Sequence, residues 1–329
     1  LDGKGDPRVG LTGASYGGAV SLLAAGHDER VDAIAPVITY WNLADALFPD
    51  GVFKKLWAGI FITTGGGCER FEKQLCEMYE RVAVSGKPDA EAVKLLTERS
   101  PSAVADRIKV PSLLLQGQSD SLFPLGQADA MQKAISANGA PVSVDWISGG
   151  HDGGDSETNR VEGRVGDWFD RYLKEDTGTA TGPAFRVTRT GGVDSTDGAA
   201  LLRGASSDTY PGLRSGGRDI ALGGGTKTFR NPAGSVPPAI SAVPGVGGGL
   251  AQLSSLGVGL SLDFPGQFGR FESKPLDTSV RVTGTPTVTV NVKADGDRDA
   301  VLFGKVYDVS PDGRQQVLPH QLVAPYRIT

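Results

Sequence analysis

The sequence predicts an α/β domain built on a parallel sheet, carrying a helical insertion and followed by an all-β domain. Three observations predict it. Short β runs alternate with helical patterns through the first half, as parallel-sheet folds require. A long helical stretch, 38–108, separates two of those β runs. Beyond a Thr/Gly/Pro-rich segment at 177–183 the patterning turns to β alone.

In order, Val9-Gly10-Leu11-Thr12 reads as a buried strand, and Gly18-Ala19-Val20-Ser21-Leu22-Leu23-Ala24 as the helix after a tight turn. Residues 31–37, 111–116 and 141–147 supply the next strands. Val161, Val165, Trp168, Phe169, Tyr172 and Leu173 fall at i, i+4, i+7, i+8, i+11 and i+12, one face of a helix. Within 38–108, Phe53, Leu56, Trp57, Ile60 and Phe61 form one apolar stripe, and Phe71, Leu75, Met78, Tyr79 and Val82 form another. So long an insertion reads as a cap over one sheet edge, with an ordinary packed helix pair as the alternative. The domain expectation is therefore 1–176 for the α/β part with its cap, 177–183 as linker and 184–329 as a β-sandwich. In that last part Thr287-Val288-Thr289-Val290-Asn291-Val292-Lys293 alternates strictly, as for a strand wet on one face. Residues 300–309 are more continuously apolar, as for a strand covered on both sides.

Composition narrows the function classes. The 329 residues hold 33 Lys+Arg against 38 Asp+Glu, a net charge of −5, which argues against a nucleic-acid partner. No apolar run reaches the ~18 residues of a membrane helix. With 39% hydrophobic and 22% charged residues the chain can bury a core. Oligomeric state is not legible. The chain opens at Leu1 without a signal-like segment, enters a strand within ten residues and stops after an apolar stretch. Both ends read as cuts in a longer protein.

The chemistry concentrates at Gly13-Ala14-Ser15-Tyr16-Gly17, a G-x-S-x-G pattern between a strand and a helix. A serine on such an elbow needs a strained backbone, and side chains two residues either side would collide. The Tyr16 amide, opening the helix, would face a developing oxyanion. A base and an acid should follow in the order Ser, Asp, His. Of three histidines, His27 falls too early and His320 lies in the β region. His151, in Ser148-Gly149-Gly150-His151-Asp152-Gly153-Gly154 after a strand, remains. Asp120, after the strand Leu113-Leu114-Leu115-Gln116, is the expected acid that orients the imidazole. Asp145, inside a strand, and Asp152, beside the histidine, are poorer candidates. Tyr40, Trp41, Trp57 and Phe123 are candidate pocket walls, each of which also reads as core. No metal or organic cofactor is required by this chemistry. Gly223-Gly224-Gly225-Thr226-Lys227-Thr228 lacks the Gly-Lys pair of a phosphate-binding loop and reads as a turn.

With these positions placed, the sequence resembles the CocE/NonD hydrolases of the X-Pro dipeptidyl-peptidase family. Gly13-Ala14-Ser15-Tyr16-Gly17-Gly18, Val31-Asp32-Ala33-Ile34-Ala35-Pro36, Gln116-Gly117-Gln118-Ser119-Asp120-Ser121-Leu122-Phe123 and Gly149-Gly150-His151-Asp152 carry the likeness. In the β region Phe271-Glu272-Ser273-Lys274-Pro275-Leu276, Val282-Thr283-Gly284-Thr285-Pro286 and Val306-Tyr307-Asp308-Val309 do so. The resemblance implies an α/β-hydrolase domain, here with an incomplete sheet, a helical cap and a C-terminal jelly-roll (galactose-binding-like) domain. It also implies a serine hydrolase acting on peptide, amide or ester bonds, with Ser15, Asp120 and His151 as its triad. A tyrosine that the family uses as second oxyanion donor belongs to a segment this sequence does not contain. A carboxylesterase or acylase of the CocE type and a non-catalytic binding protein are the alternatives.

Cys68 and Cys76 are the only cysteines. On one continuous helix their Cα atoms would stand ~12 Å apart, beyond the roughly 7 Å a disulfide spans. Gly65-Gly66-Gly67 precedes Cys68 and the apolar stripe starts only at Phe71, so the loop can fold back to bring them together. A bridge would favour an extracytoplasmic setting, since cytosolic thiols stay reduced; two buried free thiols are the alternative.

Overall fold

The fold was read from a computed structural model, which describes residues 5–189, 203–213, 216–239, 243, 263–295, 299–313, 315–318 and 322–328. His320 lies outside the described residues. Six strands form one sheet in sequential order: β1 (Val9–Ala14), β2 (Val31–Val37), β3 (Ser112–Gly117), β4 (Val142–Ile147), β5 (Phe185–Thr188) and β6 (Gly204–Ser207). The first five run parallel and β6 returns antiparallel to β5. Helices α1 (Tyr16–His27), α6 (Gly126–Ala137) and α7 (Thr158–Leu173) cover it. Period-two alternation divides the core. Ile34 and Leu114 face α1 and α6, whereas Ala33, Ala35, Leu113 and Leu115 pack with Trp168 of α7. On the α7 face β1 lies so close that a Cβ on Gly10 would meet Leu173 and Phe169 at 2.7 Å.

Four cap helices follow β2: α2 (Leu43–Leu47), α3 (Lys55–Thr64), α4 (Lys73–Ser85) and α5 (Ala90–Glu98). Asn42 and Asp89 cap α2 and α5, accepting from the Ala44 and Ala92 amides. The cap sits over the carboxyl ends of β2 and β3, not along a side edge. Its core joins Met78, Val82, Leu95 and Leu96 to Tyr40, Leu122 and Phe123 from the loops after those strands. The α3 stripe is narrower than its sequence suggests: Phe53, Trp57 and Phe61 pack inward, while Leu56 and Ile60 are exposed. The structure joins Cys68 and Cys76, with Cα atoms 5.6 Å apart. A 3₁₀ turn at Cys68–Arg70 ends before α4 begins, so no single helix separates them.

Two expectations about the second half are corrected. The segment 177–183 leads back into the parallel sheet, because the chain after Pro183 pairs β5 with β4. The α/β sheet therefore extends through β6, past the expected boundary at 176. The continuously apolar 300–309 run is not one covered strand but two: β7 (Ala300–Gly304) and β8 (Val306–Val309). Strand β10 (Ala324–Ile328) pairs with β7 and β9 (Gln315–Leu318) with β8, both antiparallel. Lys305 divides them, its ammonium 2.6 Å from Asp263. Val288, Val290 and Val292 are exposed, and 287–293 joins no strand among the described residues. Alternation states which face a strand would bury, but it does not supply the partner. No helix of the described residues is long and apolar enough to cross a membrane.

Candidate active site

Ser15 occupies the junction of β1 and α1 with φ 56° and ψ −121°, a conformation costly for a residue with a side chain. Neighbours hold it there. The Ser15 amide donates to the Val37 carbonyl at 2.9 Å, and the Thr39 hydroxyl donates to the Ser15 carbonyl at 2.7 Å. A Cβ on Gly13 would stand 2.8 Å from the Gly17 carbonyl carbon, and one on Gly18 2.9 Å from Thr39. Gly17 itself faces open space, so the crowding expected on both sides falls on Gly13 and Gly18. Tyr16 is the first residue of α1, where amides lack an intrahelical acceptor; its side chain is exposed.

His151 follows β4 on a tight loop. Its Nε2 lies 2.8 Å from Ser15 Oγ and its Nδ1 2.6 Å from Asp120 Oδ2. Asp120 is fully buried after β3, and its Oδ1 accepts from the Leu122 amide (3.1 Å) and the Phe123 amide (2.7 Å). Three loops at the carboxyl ends of three parallel strands thus bring a hydroxyl, an imidazole and a carboxylate into one line, as α/β sheets do with their sites.

The candidate walls divide. Phe123 and Trp57 stand edge-on to the His151 ring, with centroids at 5.3 and 5.9 Å. Tyr40 packs behind Phe123 at 5.1 Å, and burial pushes its hydroxyl up to about 12. Trp41 is elsewhere, in the core with Leu22 and Ile34, so it lines no pocket at Ser15.

Other residues support the site without a sequence signature of their own. Asp152 is buried and accepts from both the amide and the hydroxyl of Ser121. Glu157, with φ 52°, accepts from the Ser148 amide at 2.8 Å and from Arg160 at 2.6 Å. Arg160 and Arg164 also bind Asp145 at 2.6 and 2.7 Å. This buried ionic cluster therefore anchors the start of the His151 loop. The clue in the sequence was Asp145, the one charge in strand β4, facing arginines spaced i, i+4 on α7.

A parallel sheet carrying an elbow serine, with His151 and Asp120 on later loops, defines an α/β-hydrolase scaffold of the serine-hydrolase class. Residues 5–151 match the X-Pro dipeptidyl-peptidase (S15 family) model, and residues 265–324 match that of the X-Pro dipeptidyl-peptidase C-terminal non-catalytic domain. Both matched models are of X-Pro dipeptidyl-peptidases, so the chain is similar to that family over these two segments. A dipeptidyl aminopeptidase BIII of Pseudoxanthomonas mexicana is 30% identical over 167 residues, 49% of this chain and 21% of that protein. The chain thus spans about a fifth of that relative's length. Solved structures with similarity include a CocE/NonD family hydrolase from Staphylococcus aureus (17% identity, TM-score 0.45, 62% of this chain and 34% of that one). Another is the Pyrococcus horikoshii acylaminoacyl peptidase (20% identity, TM-score 0.36, 51% of this chain and 25% of that one).

Proposed function

We propose that the protein is a serine hydrolase of the X-Pro dipeptidyl-peptidase type, cleaving peptide, amide or ester bonds through an acyl-enzyme. The observation that carries this reading is the hydrogen-bonded line from Ser15 Oγ through both His151 nitrogens to Asp120. In this reading His151 Nε2 takes the Ser15 proton as Oγ attacks the carbonyl carbon, then delivers it to the leaving nitrogen or oxygen. Asp120 keeps the other proton on Nδ1 and stabilises the imidazolium. The Tyr16 amide donates to the tetrahedral oxyanion. Water, deprotonated by His151 in turn, releases the acyl group and regenerates Ser15. Phe123 and Trp57, beside the imidazole, present apolar surface to the substrate, with Tyr40 behind them. The name of the aminopeptidase relative favours a dipeptide acyl group over a simple ester.

A fluorophosphonate probe tests the mechanism: labelling is expected at Ser15, and an unlabelled native protein would refute it. A paired panel tests the substrate class. Faster cleavage of Xaa-Pro anilides than of short-chain nitrophenyl esters supports the peptidase assignment, and the reverse ranking makes the protein a carboxylesterase.

A further inference from the structure

Asp152 directly follows His151 and is only 4% exposed, yet no step above uses it. Both its oxygens accept from one residue. The Ser121 hydroxyl donates to Oδ1 at 2.9 Å and the Ser121 amide donates to Oδ2. Ser121 itself directly follows Asp120. Its hydroxyl, having donated to Asp152, accepts from the Trp57 indole N–H at 3.0 Å. Trp57 belongs to cap helix α3, and its ring stands against His151. Three residues earlier, Lys54 Nζ donates to the Leu122 carbonyl at 2.9 Å. The cap segment 54–57 therefore grips the acid loop 120–123 at two points, and that loop grips the residue beside the imidazole.

We propose that Trp57, Ser121 and Asp152 form a positioning relay that ties the placement of the cap to the placement of the His151 ring. The proposal rests on the hydrolase reading above. The relay is a continuous chain of donors, indole N–H to hydroxyl to carboxylate, in which each buried polar group is satisfied by the next. Helix α3 cannot move away without stripping Ser121 of its donor and His151 of an aromatic wall. Substrate that seats the cap therefore also seats the base, and an ill-fitting one loosens both.

The relay has a pH signature. Burial raises the Asp152 carboxyl above the ordinary aspartate range, against the two Ser121 hydrogen bonds. Asp120 adds to the rise and His151 opposes it, while Lys54 is the cation coupled to both carboxylates. As pH falls Asp152 takes up a proton before an ordinary aspartate would. An oxygen that accepted from Ser121 then competes as a donor, and the relay slackens.

Three variants of the protein test this: Asp152→Asn, Ser121→Ala and Trp57→Phe, the last keeping an aromatic ring but lacking the N–H. The readouts are kcat and KM on a nitrophenyl ester, the rate of fluorophosphonate labelling at Ser15, and the melting temperature. Asp152→Asn is expected to lower kcat and labelling by between about tenfold and a hundredfold at unchanged KM, as for a misplaced base. Its activity should also fall less steeply on the acid side than that of the native protein. Trp57→Phe should cost several-fold, and the Trp57→Phe/Ser121→Ala double variant should be no slower than Ser121→Ala alone. Native kcat and labelling in Asp152→Asn, or strictly multiplicative losses in the double variant, would overturn the relay. So would a lowered melting temperature with unchanged kcat. Unaffected variants of a labelling native protein overturn the relay alone; an unlabelled native protein overturns the hydrolase reading and the relay with it.

Discussion

Gly150 approaches Ser119 so closely that a Cβ on Gly150 would stand 2.3 Å from the Ser119 carbonyl oxygen and 2.9 Å from the Asp120 Cβ. The converse holds for Gly117, whose Cβ would lie 2.3 Å from the Gly149 carbonyl oxygen. The acid loop and the histidine loop interlock through the side chains they lack, and that closeness lets His151 reach Asp120. Gly150→Ala must push backbone against backbone, with no flexible side chain to yield. Turnover is expected to fall at least about tenfold, because the imidazole is displaced from both partners. Steady-state kinetics beside a melting curve check it; native turnover from this variant would show that the loops have slack.

Ser15→Ala is expected to abolish turnover, a loss on the order of 10⁶ for a triad serine. Asp120→Asn is the more informative change. Asp120 Oδ1 accepts two backbone N–H groups, so the asparagine oxygen should stay there and turn its NH₂ toward His151 Nδ1. The imidazole would then carry its proton on Nε2 and could not accept from Ser15. Expected loss in kcat is about 10⁴. Activity of Ser15→Ala above about a hundredth of native would remove Ser15 from the mechanism.

The elbow and the order Ser15, Asp120, His151 were legible because each follows a strand whose apolar pattern is strong. Elimination among three histidines did the rest. Asp152 and Ser121 were not legible: short polar loop residues have no period, and only folding places one against the other. Strands β5 and β6 were hidden for a different reason. Phe185 to Thr188 is brief and follows Gly182-Pro183, so local composition reads as an exit from the sheet, whereas Val187 pairs with Trp146. Trp41 shows the limit for aromatics: next to Tyr40 in sequence, it points into a different core cluster.

The acid limit of stability should depend on Asp145. Burial alone would raise this carboxyl, but the Arg160 hydrogen bond and the charges of Arg160, Arg164 and Arg186 hold it below its ordinary value. A carboxyl depressed in the folded state contributes stability that is fully present above the unfolded value, about 3.9. That contribution is lost as pH falls through the folded value. Asp145→Asn leaves Arg164 without its carboxylate and Arg160 with Glu157 alone, and should cost about 3–5 kcal/mol near neutrality. It should also flatten the fall in stability below about pH 4. Urea unfolding across pH decides this, and an unchanged acid limb would show that other carboxylates set it.

The Cys68–Cys76 bridge closes a short loop at the entry to α4. Intact mass should rise on alkylation only after reduction. By loop entropy alone the bridge should contribute about 2.5 kcal/mol, so reductant should lower the melting temperature. Two thiols that alkylate without reductant, in protein folded under oxidising conditions, would refute the bridge.

Arg327, on β10, closes two open ends of the cap. Its Nε donates to the Gly51 carbonyl at 3.0 Å, its Nη2 to the Gly86 carbonyl at 3.1 Å, and its Nη1 to Asp299 at 2.6 Å. Gly86 is the left-handed C-cap of α4, and Gly51 ends a 3₁₀ turn. Carbonyls at such ends lack intrahelical donors and need one from elsewhere. Lys87 and Arg327 together hold Asp299 below the usual carboxylate range, so this carboxylate links the two cations. One guanidinium thus serves three acceptors in different directions, a geometry an ammonium cannot reproduce. Arg327→Lys should therefore lose nearly as much as Arg327→Ala, about 2 kcal/mol, the scale of hydrogen bonds from a charged donor. Amide exchange should speed up at the end of α4 and around residues 49–52 while β3 and β4 keep their protection. Unchanged exchange in Arg327→Ala would show that the cap holds its place without the C-terminal strands.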